Sequence, residues 1–251
     1  WADDEWSARA IAHAELRGLG LLSVGTRGTG IRLLSRRPTT LGQVLEIEHG
    51  GAARRIELPL IGAYQAANAL ISAGLVIASG GNAARTFADL ARLQPVRGRL
   101  ERAAISRAGA PVYVDYAHTP DALEAAIAAL RPHCEGRLIV VFGAGGDRDT
   151  GKRPEMGRVV ADQAEIGIVT DDNPRSEDPA AIRAAVLAGG AGALREVADR
   201  RAAIAAAIAE AKAGDIVLVA GKGHEQGQYF GAGESLRVLP FDDVTVAREC
   251  A

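Results

Sequence analysis

Cysteine, methionine, aromatic residues and lysine are all scarce in this chain of 251 residues, and each scarcity removes a class of explanation. The two cysteines, Cys134 and Cys250, lie too far apart to suggest a disulfide framework or a metal knuckle, which fits a reducing compartment and an expected cytoplasmic location. No stretch is long and apolar enough for a bilayer, since the longest, around Ala69 to Ser79, is broken by Ser72 and Gly74. No signal peptide opens the chain, and Trp1 followed by Ala2-Asp3-Asp4-Glu5 reads as mid-domain sequence. Neither sign of charge dominates. The formal net of −2 lacks the field of a nucleic-acid or polybasic membrane binder, so neither partner is expected. H-E-x-x-H, paired-cysteine zinc spacing and G-x-S-x-G are absent, which leaves metalloprotease and serine-hydrolase chemistry unsupported. No metal ligand and no catalytic side chain is nominated. Lysine occurs only at 152, 212 and 222, and the presence of two of these in glycine-rich loops marks those loops.

What remains is 48% apolar and 24% charged, enough to bury one large core or two small ones. The second half alternates apolar strands with polar loops and helices, the pattern of a doubly wound, mostly parallel α/β sheet. Pro111 to Val114 runs into Asp115-Tyr116-Ala117-His118, and Arg137 to Phe142 runs into Gly143-Ala144-Gly145-Gly146-Asp147-Arg148-Asp149. Ile166 to Thr170 runs into Asp171-Asp172-Asn173-Pro174-Arg175, and Asp215 to Ala220 runs into Gly221-Lys222-Gly223-His224-Glu225. Thr119-Pro120 and Asp178-Pro179 place a capping side chain before a proline at the first helical position. Helices are expected over Asp121 to Leu130 and Arg200 to Ala213. In a parallel sheet all the strand C-termini share one edge, so the four polar loops should converge there. The first half predicts a helix near Ser7 to Arg17, strands near Ile31 to Leu34 and Val44 to Ile47, and a helix from Ala66 to Ala78, with no pairing deducible. Proline and glycine in Gln94-Pro95-Val96-Arg97-Gly98-Arg99 mark a hinge, placing a boundary near Gly98.

Each loop admits two readings. The glycines from 143 to 146 do not have G-x-G-x-x-G spacing and are followed by acids, so they form either a tight turn or a poor dinucleotide loop. Arg148, between two acids, belongs either to a self-contained ion-pair network or to a carboxylate receptor. Asp172-Asn173-Pro174-Arg175 is either a turn with an exposed arginine or a grip on the ammonium and carboxylate of an amino acid. Gly221-Lys222-Gly223-His224-Glu225 lacks the phosphate-loop pattern; its Glu225 can bind an amine and Gly221 can offer a carbonyl, while His224 alone reads as a structural hydrogen-bonder. Asp115 and His118 can meet ribose and phosphate, or cap the following helix.

In order along the chain these segments resemble the Mur ligase family. Asp3-Asp4 is similar to the end of its N-x-D-D segment, with Trp1 in place of the asparagine, and Gly62-Ala63-Tyr64-Gln65-Ala66-Ala67-Asn68 to its G-x-F-N-x-x-N, with Gln65 in place of asparagine. Gly98-Arg99-Leu100-Glu101 resembles G-R-M-E. The D-Y-A-H-T-P, G-x-G-G-D-R-D-x-G-K-R-P, D-D-N-P-R and G-K-G-H-E segments follow. The series spans essentially the whole chain.

The resemblance implies the C-terminal part of a central α/β ATPase domain over 1–98 and a doubly wound, Rossmann-like amino-acid-binding domain over 99–251. It implies ATP-dependent ligation of meso-diaminopimelate to UDP-N-acetylmuramoyl-L-alanyl-D-glutamate through an acyl phosphate, in peptidoglycan biosynthesis. By the same likeness Arg148, Asp172, Asn173 and Arg175 hold the incoming amino acid, and Gly221 and Glu225 receive its distal ammonium. Asn68, Arg99, Asp115 and His118 belong to the ATP side. Arg175 discriminates, since an arginine there matches members that use diaminopimelate and not lysine. The family's phosphate loop and its Mg2+ ligands are expected upstream of Trp1, so the chain reads as a fragment inactive alone, and as a monomer. The competing readings are a lysine-adding member, a nicotinamide-dependent dehydrogenase using the Gly143 loop, and a non-catalytic amino-acid or nucleotide-binding module.

Overall fold

The computed structural model describes residues 1–251, which divide into two compact units, Trp1–Gln94 and Pro95–Ala251. The sequence boundary near Gly98 falls just inside the second unit. In the first, helix α1 (Glu5–Leu16) starts at Asp4, whose side chain accepts from the Ser7 amide, and buries none of its residues. Strands β1 (Val24–Gly25), β2 (Ile31–Thr39), β3 (Gly42–His49) and β4 (Ala52–Leu58) form a sheet in that order, with β1 parallel to β2 and the other pairs antiparallel. Helices α2 (Ala63–Ala78) and α3 (Ala83–Leu90) cover it. Ile31, Leu45, Ile47, Ile56 and Leu58 meet Ala69, Leu70, Phe87 and Leu90 in one apolar core.

The second unit contains β5 (Glu101–Ile105), β6 (Pro111–Asp115), α4 (Pro120–Leu130), β7 (Leu138–Phe142), α5 (Lys152–Gln163), β8 (Ile166–Val169) and α6 (Pro179–Gly189). β9 (Leu194–Glu196), α7 (Arg200–Glu210), β10 (Ile216–Ala220), the hairpin β11 (Gly227–Phe230) and β12 (Arg237–Pro240), and α8 (Asp243–Cys250) complete it. The main sheet has the order β5-β6-β10-β7-β8-β9, all parallel except β5. β7 and β10 are buried along their full length, which accounts for their unbroken Leu-Ile-Val-Val-Phe and Ile-Val-Leu-Val-Ala runs.

Alternation along the strands divides the core. Val112, Val114, Ile139, Val141, Val217 and Val219 meet Ile204, Ile208 and Val244 of α7 and α8 on one face. Helices α4, α5 and α6 pack against β10 and β8 and against one another elsewhere on the sheet. The caps at Thr119 and Asp178 form as the sequence indicates, bonding the amides of Ala122 and Ala180. Helix α7 stops at Glu210 and not at Ala213, because Lys212-Ala213-Gly214-Asp215 turns toward β10, with the Lys212 amide donating to Asp215 Oδ2 at 2.9 Å.

Candidate functional site

Strands β6, β10, β7 and β8 are consecutive neighbours, and the loops after their C-terminal ends line a single cleft of about 210 Å3. Each loop contributes differently. At the end of β6, Asp115 Oδ2 accepts from the Leu100 amide at 2.7 Å and Oδ1 from the Ala117 amide at 2.8 Å, so both oxygens pin the turn. Burial pushes this carboxyl above the ordinary range, outweighing those bonds and the nearby Arg99. His118 lines the cleft beside Tyr116; its Nδ1 bonds the Tyr116 carbonyl at 2.8 Å and the two rings meet edge-on at 4.6 Å. The Arg99 guanidinium lies 4.7 Å over the Tyr116 ring, outside the cleft lining. Asn68 is exposed on α2 of the first unit.

The glycine loop after β7 interlocks with the loop after β8. A methyl group at Gly146 would overlap the Pro174 carbonyl, and one at Gly145 would lie 2.8 Å from Arg175 Nη1, so both glycines make room for the neighbouring loop. The Gly146 amide donates to the Asn173 carbonyl at 2.9 Å, and Asp147 accepts from the Ser176 amide and hydroxyl. Those Ser176 bonds hold the exposed Asp147 carboxyl below the ordinary range. Arg148 donates to the Asp147 carbonyl at 2.9 Å and forms no ion pair with its flanking acids, which leaves an exposed guanidinium at the cleft. Lys152, at the start of α5, donates to the His118 carbonyl at 2.9 Å and braces the first loop against the second. Burial lowers its ammonium pKa despite Asp172 and Asp149 nearby.

Arg175 has a positive φ of 52°. Its Nη1 bonds the Gly146 carbonyl at 2.9 Å, and its backbone is clasped by β11, with its amide donating to the Tyr229 carbonyl at 3.0 Å. No carboxylate is paired with this guanidinium. Across the cleft, Asp172 and Asn173 are buried and Glu225 is half-buried. Gly221, at φ 122°, donates its amide to the Asp115 carbonyl at 3.1 Å and tucks against Asp172 Oδ2. The cleft therefore sets Arg148, Lys152 and Arg175 against Asp172 and Glu225.

Beneath these groups lie two buried cations. Lys222 reaches Asn173 Oδ1 at 2.6 Å, the Gly227 carbonyl at 2.8 Å, and Asp172 and Glu225 oxygens at 3.6 Å each. Arg200 is paired with Asp243 through bonds of 2.8 and 2.7 Å, both side chains fully buried, and also donates to the Ala220 carbonyl at 3.0 Å just before Gly221. Arg148, Asp172, Asn173, Arg175, Gly221 and Glu225, expected to hold the amino acid, line the cleft together, and His118, expected on the ATP side, lines it as well, whereas Arg99 and Asp115 do not. Tyr116, Lys152 and the base formed by Lys222, Arg200 and Asp243 have no role assigned from the sequence. The scarcity of lysine was the available signal for two of them.

Fold and cleft together define a doubly wound α/β domain of the ligand-binding class, with its site at the carboxyl ends of the strands. The chain belongs to the Mur ligase family: the family's domain described as "Mur ligase, glutamate ligase domain" matches residues 98–223. Mur ligases are ATP-dependent amide-bond ligases. A relative from Zymomonas mobilis named UDP-N-acetylmuramoyl-L-alanyl-D-glutamate–2,6-diaminopimelate ligase is 59% identical over 249 residues, covering 99% of this chain and 51% of the relative. One of the same name from Caulobacter vibrioides is 55% identical over 243 residues, covering 97% and 49%. A solved structure of UDP-N-acetylmuramoyl-L-alanyl-D-glutamate–2,6-diaminopimelate ligase aligns with a TM-score of 0.72 at 32% identity, over 99% of this chain and 51% of that one. The chain thus spans about half the length of the curated relatives it matches. No helix is long and apolar enough to cross a membrane.

Proposed function

We propose that this chain is the amino-acid-binding part of an enzyme that joins meso-diaminopimelate to UDP-N-acetylmuramoyl-L-alanyl-D-glutamate at the expense of ATP. The observation that carries the reading is Arg175, a guanidinium held in place by a backbone carbonyl, aimed at the cleft and without a carboxylate of its own. Diaminopimelate ends in a carboxylate and an ammonium where lysine has an ammonium alone. Arg175 and the Asn173 amide take that carboxylate, while Asp172, Glu225 and the Gly221 carbonyl take the ammonium. Arg148 receives the carboxylate beside the reacting amine. Gripping the far end leaves the near amine free as nucleophile.

In the proposed reaction the D-glutamate γ-carboxylate takes the γ-phosphoryl group of ATP, giving an acyl phosphate and ADP. The amine then attacks the acyl carbon, the new C–N bond forms, the C–O bond to phosphate breaks, and the amine loses a proton. Residues 1–98 supply part of the nucleotide-binding domain and 99–251 the amino-acid domain. Around Tyr116, Arg99 and His118 offer an exposed edge to a nucleotide, and Asn68 is exposed on α2. Asp115 acts by shaping that turn, since its oxygens are taken. No group of three His, Cys, Asp or Glu side chains is placed to hold a metal.

The interlock of Gly146 with Pro174 disfavours the nicotinamide reading, because backbone covers the glycine where a pyrophosphate would need to approach. Calorimetry on the 251-residue chain tests the proposal. An arginine deprived of its carboxylate costs about 2–5 kcal/mol, so diaminopimelate should bind at least about thirtyfold more tightly than lysine, and Arg175→Ala should abolish the difference. Equal affinity of the unaltered chain for both amino acids would sink it.

A further inference from the structure

The Lys222 ammonium is fully buried and touches no solvent, yet it lies within 3.6 Å of both acids of the cleft and 2.6 Å from Asn173. Asn173 can in principle present either end of its amide to a ligand. Its surroundings allow one orientation only. Oδ1 faces two donors, Lys222 Nζ and the Tyr229 amide at 3.2 Å, while Nδ2 faces an acceptor, Glu225 Oε2, at 2.8 Å. The second N–H of the amide is left for the cleft that Asn173 lines. Lys222 makes the shorter of the two bonds to Oδ1, and without it only the Tyr229 amide and Glu225 would hold that orientation.

Charge adds a second consequence. Asp172, in the loop after β8, and Glu225, after β10, face Lys222 together with Arg200 of α7 and Asp243 of α8. Lys152, from the start of α5, also stands near Asp172, on the open side of the cleft. Lys222 lies between the two acids of the cleft, 3.6 Å from each, and separates their like charges in a partly buried site.

We propose that Lys222 is a positioning residue that sets the polarity of the cleft, fixing Asn173 as a donor toward a carboxylate and keeping Asp172 and Glu225 both available to a single ammonium. The geometry stands independently of the ligand; only the identity of the ligand, an amino acid bearing both groups, rests on the diaminopimelate reading. Lys222→Met removes donor and charge, whereas Lys222→Gln keeps a donor toward Asn173 and removes the charge alone.

NMR of the 251-residue chain without ligand, with isotope-labelled side chains, follows the Lys222 and Asn173 signals. In the unaltered chain the Lys222 ammonium and Asn173 amide protons should exchange slowly. In Lys222→Met the Asn173 protection should fall, and in Lys222→Gln it should persist. Diaminopimelate binding at pH 7.5 should weaken at least about tenfold in Lys222→Met. Fast exchange of both groups in the unaltered chain overturns the proposal even if neither variant folds. So do Asn173 signals indifferent to Lys222→Met, or equal diaminopimelate affinity with and without Lys222. Failure of the unaltered chain to bind diaminopimelate removes the functional reading instead, and the ligand-free signals still decide this one.

Discussion

Arg175 holds a left-handed backbone at φ 52°, a conformation that costs a side-chain-bearing residue about 1–2 kcal/mol relative to glycine. The loop tolerates it because that conformation lets the Arg175 amide and carbonyl both bond the β11 strand end. Comparing Arg175→Gly with Arg175→Ala separates backbone from side chain, since neither retains a guanidinium. The glycine variant should be more stable by about 1 kcal/mol in urea unfolding, with both equally unable to distinguish diaminopimelate from lysine. Gly146 presents the opposite case. Its φ is not positive, but a methyl group there would overlap the Pro174 carbonyl, so Gly146→Ala should cost about 1–3 kcal/mol by the same measurement and loosen the loop that carries Arg175. An alanine variant as stable as the parent would show that the two loops are not interlocked.

Among the elements, α7 and α8 are joined at their first residues by Arg200 and Asp243, a pair without solvent contact. Burial opposes the Arg200 charge, but Asp243 more than compensates and the guanidinium pKa lies above its ordinary value. Removing one partner leaves the other charge buried and alone. Arg200→Met should lower unfolding free energy by about 3–5 kcal/mol, and Arg200→Met with Asp243→Leu by clearly less; a double variant weaker than the single one would contradict the pairing. The elements that were legible in the sequence share one property, a run whose every residue or every second residue is apolar. β7 and β10 are buried throughout and stand out, as do the helices capped by Thr119 and Asp178. Strand β4 did not, because Ala-Ala-Arg-Arg-Ile-Glu-Leu faces the core only at Ile56 and Leu58 and is held by its neighbour β3. The hairpin of β11 and β12 contains glycine and proline and pairs across a loop, so local pattern was silent on it. The site divided along the same line. Its loops were visible as polar sequence after apolar strands, but the orientation of Asn173 depends on a lysine 49 residues away, and no local pattern encodes it.

At the scale of the molecule, two units with separate apolar cores predict two unfolding steps, not one. Differential calorimetry should resolve them, and Arg200→Met should move only the transition of the second unit. Acid should also act on that unit. Burial raises the Asp215 pKa, but bonds from the Arg137 side chain and from the Arg137 and Lys212 amides outweigh it, so the carboxyl lies below its ordinary 3.8. A depressed carboxyl contributes stability that is present above the ordinary value and lost as pH falls through the folded one. Asp147, Glu165 and Glu177 are lowered as well. The urea midpoint of the second unit should therefore hold steady down to about pH 4.5 and fall below it, and Asp215→Asn should blunt that fall.

The position of β10 between β6 and β7 bears on how the chain leaves the ribosome. Both flanking strands are synthesised first, and each offers an unpaired edge until Ile216 to Ala220 has emerged. At about 5–20 residues per second that interval lasts several seconds, during which two apolar strands of five residues each can pair with each other wrongly or with another nascent chain. The last core strand to arrive also delivers Gly221, Lys222 and Glu225, so a chain cut short before β10 loses its sheet and its cleft at once. Quality control in the cell thus needs no separate test of the site: a translation product that passes as folded has already acquired it.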